Sequence, residues 1–304
     1  MKFALFIPTL NAGPRWLQVV EAIQSQSTRP DAVLVVDSGS VDGTTELASS
    51  AGFEVVHISP ADFDHGGTRR LALQRFADCD VIVYLTQDAV LSDRHAFTNL
   101  LAALASDDAI AAVAGRQLPD ANASVFARHS RGYNYPEQSA VRSSADIAEL
   151  GIKSAFLSNS FAAYERAALE AVGGFPQRII FGEDMYVAAK LLKAGRKVAY
   201  AADACVYHSH NYTPLQEFRR YFDMGVFHAR ESWLRREFGG AEGEGVRFVC
   251  SEFSYLLKHA FWRIPEGVLR TMFRYAGFRL GLTEKRLPVW LKKRLAMNKG
   301  CFNE

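Results

Sequence analysis

The sequence predicts an α/β protein: a mostly parallel sheet flanked by helices, followed by a helical C-terminal extension. Three observations carry this. Apolar runs of strand length alternate with helical patterns up to about residue 115, the order that builds parallel sheets through right-handed crossovers. Three of those runs end in short polar stretches: Lys2–Ile7 in Pro8-Thr9-Leu10-Asn11, Ala32–Val36 in Asp37-Ser38-Gly39-Ser40, and Val81–Leu85 in Thr86-Gln87-Asp88-Ala89. Ligands of open α/β sheets bind at the carboxyl ends of strands, so this repetition points to an enzyme pocket. From Pro214 onward helical patterns dominate.

Strand 3–8 leads to a helix near 14–26, where Pro14 suits a first helical turn. Strand 32–36 leads to an N-cap candidate at Ser40 or Asp42 and a helix over 43–51. Strand 53–58, a polar loop and a helix near 66–77 follow, then strand 80–85, a helix near 94–105 and a strand near 110–115. Residues 116–150 break the rhythm: they are polar, carry Arg116, Arg128, Arg131, Tyr133 and Tyr135, and read as a long surface segment over an acceptor site. Strand 161–164 restarts regular structure, a Gly173-Gly174-Phe175-Pro176 turn follows, and an amphipathic helix 185–194 stops at Gly195. Strand 197–201 runs toward Tyr207-His208-Ser209-His210. The glycine-rich run 239–245 reads as a hinge. The expected division is 1–238 (a nucleotide-sugar half, 1–115, and an acceptor half, 116–238) and a basic aromatic extension, 246–304.

A hydrophobic content of 49% is ample for a core, and the net charge of +2 hides an asymmetry. Residues 246–304 hold 12 Lys and Arg against 4 Asp and Glu, interleaved with aromatics such as Phe261, Trp262, Tyr275 and Trp290. That mixture suits an anionic membrane surface, and it equally suits an ordinary helical subdomain with a solvated basic face. No reading motif accompanies the charge, which argues against nucleic acid as a partner. Four scattered cysteines without C-x-x-C spacing point to a reducing compartment and against a disulfide framework or zinc site. The N-terminus reads directly as a strand rather than a signal peptide, and no stretch reaches the ~20 apolar residues of a membrane span. The expectation is a cytoplasmic protein, peripheral on the cytoplasmic face of the inner membrane.

Asp88, alone at a strand end, is suited to hold a cation or a sugar hydroxyl. His208 and His210 at i and i+2 face one side of an extended chain, and no further Cys/His cluster completes a zinc site. His65–Arg69 is a glycine-containing loop before a helix; its backbone N–H groups, with Gly67 central, and the Arg69 guanidinium can meet phosphate or sugar oxygens, while Arg70 faces solvent. Asp184 opens a helix, where the dipole favours an ionised carboxylate. The first strand is followed by Pro8-Thr9-Leu10-Asn11-Ala12-Gly13 rather than G-x-G-x-x-G, which argues against a nicotinamide dehydrogenase.

Taken in order, Ile7-Pro8-Thr9-Leu10-Asn11, Val35–Thr44, Thr86-Gln87-Asp88-Ala89 and Gly182-Glu183-Asp184 resemble the family-two inverting glycosyltransferases over about residues 1–235. Thr86–Ala89 with Phe63–Arg69 before it resembles the bacterial rhamnosyltransferase branch. The resemblance implies a GT-A fold, with Asp37 accepting from the imide N–H of uracil or thymine and with Pro8 and Asn11 lining the base and ribose pocket. It puts Gly67, Arg69, Gln87 and Asp88 at the donor. Asp88 stands for the last Asp of the usual Asp-x-Asp motif, holding Mg²⁺ or Mn²⁺ against the diphosphate, with one carboxylate where the motif has two. His208 and His210 become metal or diphosphate ligands, His208 being nearer the strand end. Asp184 becomes the base that takes the acceptor proton, and Glu183 a structural neighbour. The implied donor is dTDP-β-L-rhamnose, and the acceptor a saccharide or lipid-linked saccharide in surface polysaccharide or lipopolysaccharide synthesis. Two alternatives stand beside this: the same fold with a UDP-hexose donor, and a non-catalytic scaffold subunit of a polysaccharide assembly complex, which would have lost Asp88 or Asp184.

Overall fold

The computed structural model describes residues 1–240 and 242–302. In chain order β1 (Phe3–Thr9), α1 (Arg15–Gln24), β2 (Ala32–Asp37), α2 (Thr44–Ser50), β3 (Glu54–His57), α3 (His65–Arg75) and β4 (Val81–Leu85) form the alternating first part. The strands lie in the order β3-β2-β1-β4, all parallel. Helices cover both faces, so these strands need no polar side, and all five residues of β4 are buried. Leu5, Ile7, Val83 and Leu85 share one core with Trp16, Val19 and Phe97, while Phe6 and Tyr84 face the other.

The chain continues as β5 (Val90–Leu91), α4 (Ala96–Leu104), β6 (Ile110–Leu118), α5 (Val125–Asn134), β7 (Ala140–Arg142), α6 (Ile147–Leu150), β8 (Phe161–Glu165), α7 (Arg166–Ala171), α8 (Glu183–Lys193) and β9 (Lys197–Tyr207). Here the sheet becomes mixed. β8 runs antiparallel to both β4 and β6, β6 is parallel to β9, and β5 and β7 pair antiparallel with β9. Among the described residues this makes one nine-stranded sheet.

Two expectations are corrected. The 116–150 segment is not one long surface stretch: it finishes β6, forms α5 behind a Ser124 cap, and adds β7 to the sheet. Strands β6 and β9 also outrun their expected ends at 115 and 201, pairing as far as Leu118 with Tyr207 after a register shift at Gly115/Arg116. A Cβ on Gly115 would lie 2.5 Å from the Ala204 carbonyl oxygen, so glycine permits the shift. The polar Arg116 and Gln117 disguise this strand as loop, yet their extension carries the end of β9 to the site.

Helices α9 (Pro214–Arg230), α10 (Ser232–Phe238), α11 (Glu242–His259), α12 (Ile264–Leu282) and α13 (Val289–Leu295) complete the chain. The glycine run is not a simple hinge. Gly239 ends α10 at φ +80°, but Gly243 and Gly245 already lie in α11, and Ala241 falls outside the described residues. Helices α9 and α12 touch backbone to backbone: a Cβ on Gly277 or Gly281 would meet the Phe218 or Phe222 carbonyl oxygen at 2.3 or 2.2 Å. The chain then returns to the first part, where Ala296 and Phe302 join the core of Phe222, Val226 and Leu234.

Candidate active site

The strand-end loops are laced together before any ligand is considered. The Asn11 N–H donates to Ser40 Oγ at 2.7 Å, and Asn11 Oδ1 accepts from the Val41 N–H at 2.9 Å. Asn11 holds a left-handed φ of +45°, a conformation asparagine tolerates better than most residues. Pro8 lies one residue before the end of β1, opposite Val36.

Asp37 is buried at the end of β2, and its carboxylate is already full. Oδ1 accepts from the N–H groups of Gly39 (2.9 Å) and Ser40 (2.8 Å); Oδ2 accepts from Thr9 Oγ1 (2.9 Å) and Ser40 Oγ. Burial opposes ionisation, but these four donors outweigh it and hold the carboxyl below its ordinary range. In this structure the residue anchors the 38–40 turn.

Gln87 is likewise spent: Oε1 accepts from the Leu10 N–H at 2.7 Å, and Nε2 donates to the Leu10 carbonyl at 3.1 Å. It clamps the β1 loop to the β4 loop beside Asp88.

The 65–69 segment also departs from expectation. It is the first turn of α3, not a phosphate cradle, because the Gly66 and Gly67 N–H groups are capped by Asp64 at 3.1 and 2.9 Å. Arg69 is buried, donating to the His65 carbonyl at 2.9 Å and lying 3.4 Å from Glu183 Oε1. Its charge faces Glu183.

Asp88, His208 and His210 do converge. His208 Nε2 lies 3.4 Å and His210 Nε2 3.7 Å from the Asp88 oxygens, and one ligand atom from each of the three falls within 4.8 Å of the others. The rings of His208 and His210 are edge to face at 4.7 Å. Gln117, on the disguised end of β6, holds the His208 ring. Its Nε2 donates to Ser158 Oγ at 2.8 Å, leaving Oε1 to accept from His208 Nδ1 at 2.9 Å. The ring is thereby held with Nε2 toward Asp88, the kind of outer contact by which a metal-binding histidine is oriented. Burial works against charge on Asp88, but His208, His210 and Thr86 prevail and hold it well below the usual carboxylate range. Burial first, then neighbouring His208, pushes His210 down to about 4, so this ring is neutral and able to ligate. A carboxylate and two imidazoles gathered this closely fit a divalent transition ion.

Asp184 stands in the first turn of α8 and is partly exposed. It accepts from the Met185 N–H at 2.8 Å and the Asn159 N–H at 3.3 Å. Those bonds favour the charged form, but burial and then the adjacent Glu183 charge raise it to about 7. The helix terminus is thus not the deciding influence expected of it. Glu183 is buried, bonded to Asn159 Nδ2 at 3.1 Å and to Arg69, and stays ionised. The two neighbouring carboxylates are pushed apart in proton affinity.

Sequence reasoning passes over several residues that the structure brings here. Arg15 bonds the Asp88 carbonyl (2.6 Å), the Tyr207 carbonyl (2.7 Å) and Asp120 (2.6 Å), joining three loops. Arg131 Nε donates to the His208 carbonyl at 2.6 Å. Arg220 sits over the rings of Phe181 (4.9 Å) and Tyr212 (5.9 Å), with no ion-pair partner among the described residues. Both guanidinium groups act on His210, and Tyr135 feels Arg131, Arg220 and Asp184 together. These residues lie 70 or more positions apart from Asp88 or Asp184 or inside segments that read as surface, so no local signal marks them.

Residues 4–173 match the family described as "Glycosyl transferase family 2". The O-antigen chain rhamnosyltransferase RfbN of Salmonella typhimurium is 51% identical over all of this chain and 96% of its own length. WbaN of Salmonella anatum, also named an O-antigen chain rhamnosyltransferase, is 47% identical over 99% of this chain and 96% of its own. Among solved structures, the mannosyltransferase PcManGT of Pyrobaculum calidifontis, in complex with GDP-Man and Mn²⁺, superimposes with a TM-score of 0.65 at 17% identity, covering 94% of this chain and 88% of that one. TarS of S. aureus gives 0.56 at 16% identity, over 98% and 84%. The sheet, the order of the strand-end motifs and these full-length relatives agree: the chain belongs to glycosyl transferase family 2 and is a glycosyltransferase of the GT-A fold.

Proposed function

We propose that this enzyme is a metal-dependent inverting rhamnosyltransferase that transfers L-rhamnose from dTDP-β-L-rhamnose to a lipid-carried saccharide in O-antigen synthesis. The observation that carries the chemistry is the pair of carboxylates with opposed proton affinities: Asp88, held ionised between His208 and His210, and Asp184, raised to about 7. One suits a cation, the other a base working near neutral pH. The two relatives named rhamnosyltransferases, alike over their full length, support the sugar and the pathway.

In this reading the acceptor hydroxyl gives its proton to Asp184 as its oxygen attacks the anomeric carbon opposite the diphosphate. The new C–O bond forms while the bond to the phosphate oxygen breaks, so a β-linked donor yields an α-L-rhamnoside, a nucleoside diphosphate and a proton on Asp184. Asp88, His208 and His210 would hold the divalent ion, which supplies positive charge to the leaving diphosphate. Two imidazoles beside one carboxylate suit Mn²⁺ better than Mg²⁺, which prefers an all-oxygen shell. Arg131 and Arg220 add fixed positive charge on the same side. Pro8 and Asn11 floor the nucleoside pocket, and Asp37 contributes by holding the 38–40 turn rather than by pairing with the base.

Calorimetric titration with dTDP-rhamnose and with UDP-hexoses, each with and without Mn²⁺, tests this. Binding that needs the metal and prefers dTDP-rhamnose is expected. A UDP-hexose preference would replace the donor, and the absence of binding to every nucleotide sugar would favour the scaffold role.

A further inference from the structure

Helix α12 is built inside out. The side it buries carries Gly267, Arg270, Arg274, Gly277 and Gly281. The side it exposes carries Val268, Leu269, Met272, Tyr275 and Leu280, with Met272 62% and Tyr275 66% exposed. At 3.6 residues per turn these apolar positions fall on one continuous stripe, opposite the buried one and roughly 18 Å long. The inward face is accounted for: Gly277 and Gly281 admit α9, Gly267 lies against Leu256 of α11, and the arginines are paired with Glu217, Glu252 and Glu266. An ordinary surface helix has the opposite polarity, and nothing among the described residues covers this stripe.

The surroundings say what fits it. Just before α12, Phe261 and Trp262 stand 65% and 66% exposed, in edge-to-face contact at 5.3 Å. Lys258 precedes them, Arg279 lies within the stripe, and Lys285 and Arg286 follow it; none has an ion-pair partner among the described residues. Exposed apolar and aromatic tips among uncompensated cations complement an anionic lipid surface, whose interface takes the rings and whose headgroups take the charges. A second copy of the chain would bring the same cations to the same face, and like charges oppose that pairing. No described helix is long and apolar enough to cross a membrane, so the contact this face can make is interfacial.

We infer that the outer face of α12, with Phe261 and Trp262, docks this enzyme onto an anionic bilayer. The geometry stands apart from the nucleotide-sugar site, so its failure would leave the proposed transfer reaction untouched.

The test is co-sedimentation of the full chain with vesicles containing phosphatidylglycerol and with vesicles of phosphatidylcholine alone. Wild type is expected to bind the anionic vesicles, and to release as salt screens the charges. The double variant Met272→Glu, Tyr275→Glu alters only exposed side chains, and should lose at least ~10-fold in partitioning while its nucleotide-sugar binding and melting temperature match wild type. Lys285→Gln with Arg286→Gln should weaken binding to anionic vesicles alone. Wild type that stays in the supernatant with both vesicles, or a Met272/Tyr275 variant that sediments like wild type, overturns the inference. So does wild type that is dimeric in solution, becomes monomeric in that variant and ignores vesicles, because the occupant would then be a second copy.

Discussion

Strand β4 and helix α12 solve opposite problems. β4 sends all five side chains into apolar cores and hands its polar residues, through Asp88, to the cleft at its end. α12 turns Arg270, Arg274 and three glycines inward and Val268, Leu269, Met272, Tyr275 and Leu280 out. β4 gains its stability from burying apolar surface on both faces. What holds α12 is geometry: glycine contacts too close for a Cβ, and two-pronged Arg–Glu pairing, with Arg274 reaching Glu252 at 2.8 and 2.6 Å. The sheet places the chemistry, and the helical region is shaped for what lies outside it.

The largest way to break the comparison is at the product of the sheet. Asp184→Asn should lower turnover by ~10²–10⁴-fold, with donor binding nearly intact, checked by single-turnover transfer and by calorimetry. In wild type the base must be ionised, so turnover should rise with pH through about 7. The stability effect has the reverse sign. A carboxyl raised from 3.8 to about 7 in the folded state contributes stability below about pH 4 and loses it as pH climbs through 7. Asp184→Asn, which never ionises, should escape that loss, and its melting temperature relative to wild type should increase from pH 5 to pH 8. A flat difference across that range would remove the raised proton affinity from the account.

Next come paired stability measurements. Leu85→Ala in the buried strand end should cost about 2–5 kcal/mol in denaturant unfolding, from lost burial and the cavity left behind. Arg274→Ala should cost a similar ~3–5 kcal/mol for a different reason, since it strands the buried Glu252 carboxylate. Converting both Arg274 and Glu252 to leucine should recover much of that loss, whereas nothing placed opposite Leu85→Ala recovers it without refilling the cavity. If the double variant is no better than Arg274→Ala, the inward face of α12 depends on the ion pair itself rather than on avoiding an unpaired charge.

A smaller effect tests the disguised end of β6. Gln117→Leu removes the acceptor that orients His208, and should weaken Mn²⁺ binding ~10–100-fold without removing a ligand. Unchanged affinity would mean that ring packing against His210 already fixes His208.

The same comparison explains what was legible in the sequence. Parallel strands buried on both faces read plainly as apolar runs, and polar strand ends give away Asp88 and the His208/His210 pair, while Asp184 shows as a carboxylate opening a helix. The loops were harder because polar residues there have two uses. Asp37, Gln87, Gly67 and Arg69 look like ligands of a donor, but their hydrogen bonds turn inward to Ser40, Leu10, Asp64 and Glu183. Nothing in a single sequence tells a carboxylate that builds a loop from one that reads a ligand. Gln117, Arg131 and Arg220 stayed hidden because their value comes from pairing across 77 or more positions or, for Arg220, from the turn of a helix against Phe181 in an earlier loop. The inversion of α12 was hidden as well, since its two stripes become inward and outward only once α9 and α11 have claimed one of them.

The smallest prediction is therefore the most pointed one for that helix. Met272→Ala removes a large apolar side chain, as Leu85→Ala does, but from a position 62% exposed. Little surface is withdrawn from water there on folding and no cavity is left, so the change in unfolding free energy should stay within about 0.5 kcal/mol. A loss near that of Leu85→Ala would mean that Met272 is buried in the protein as it exists in solution, by a second copy or by a shift of α12. A negligible loss would mean that its apolar surface makes no contribution to the isolated fold, and that the side chain faces outward for a surface beyond the chain.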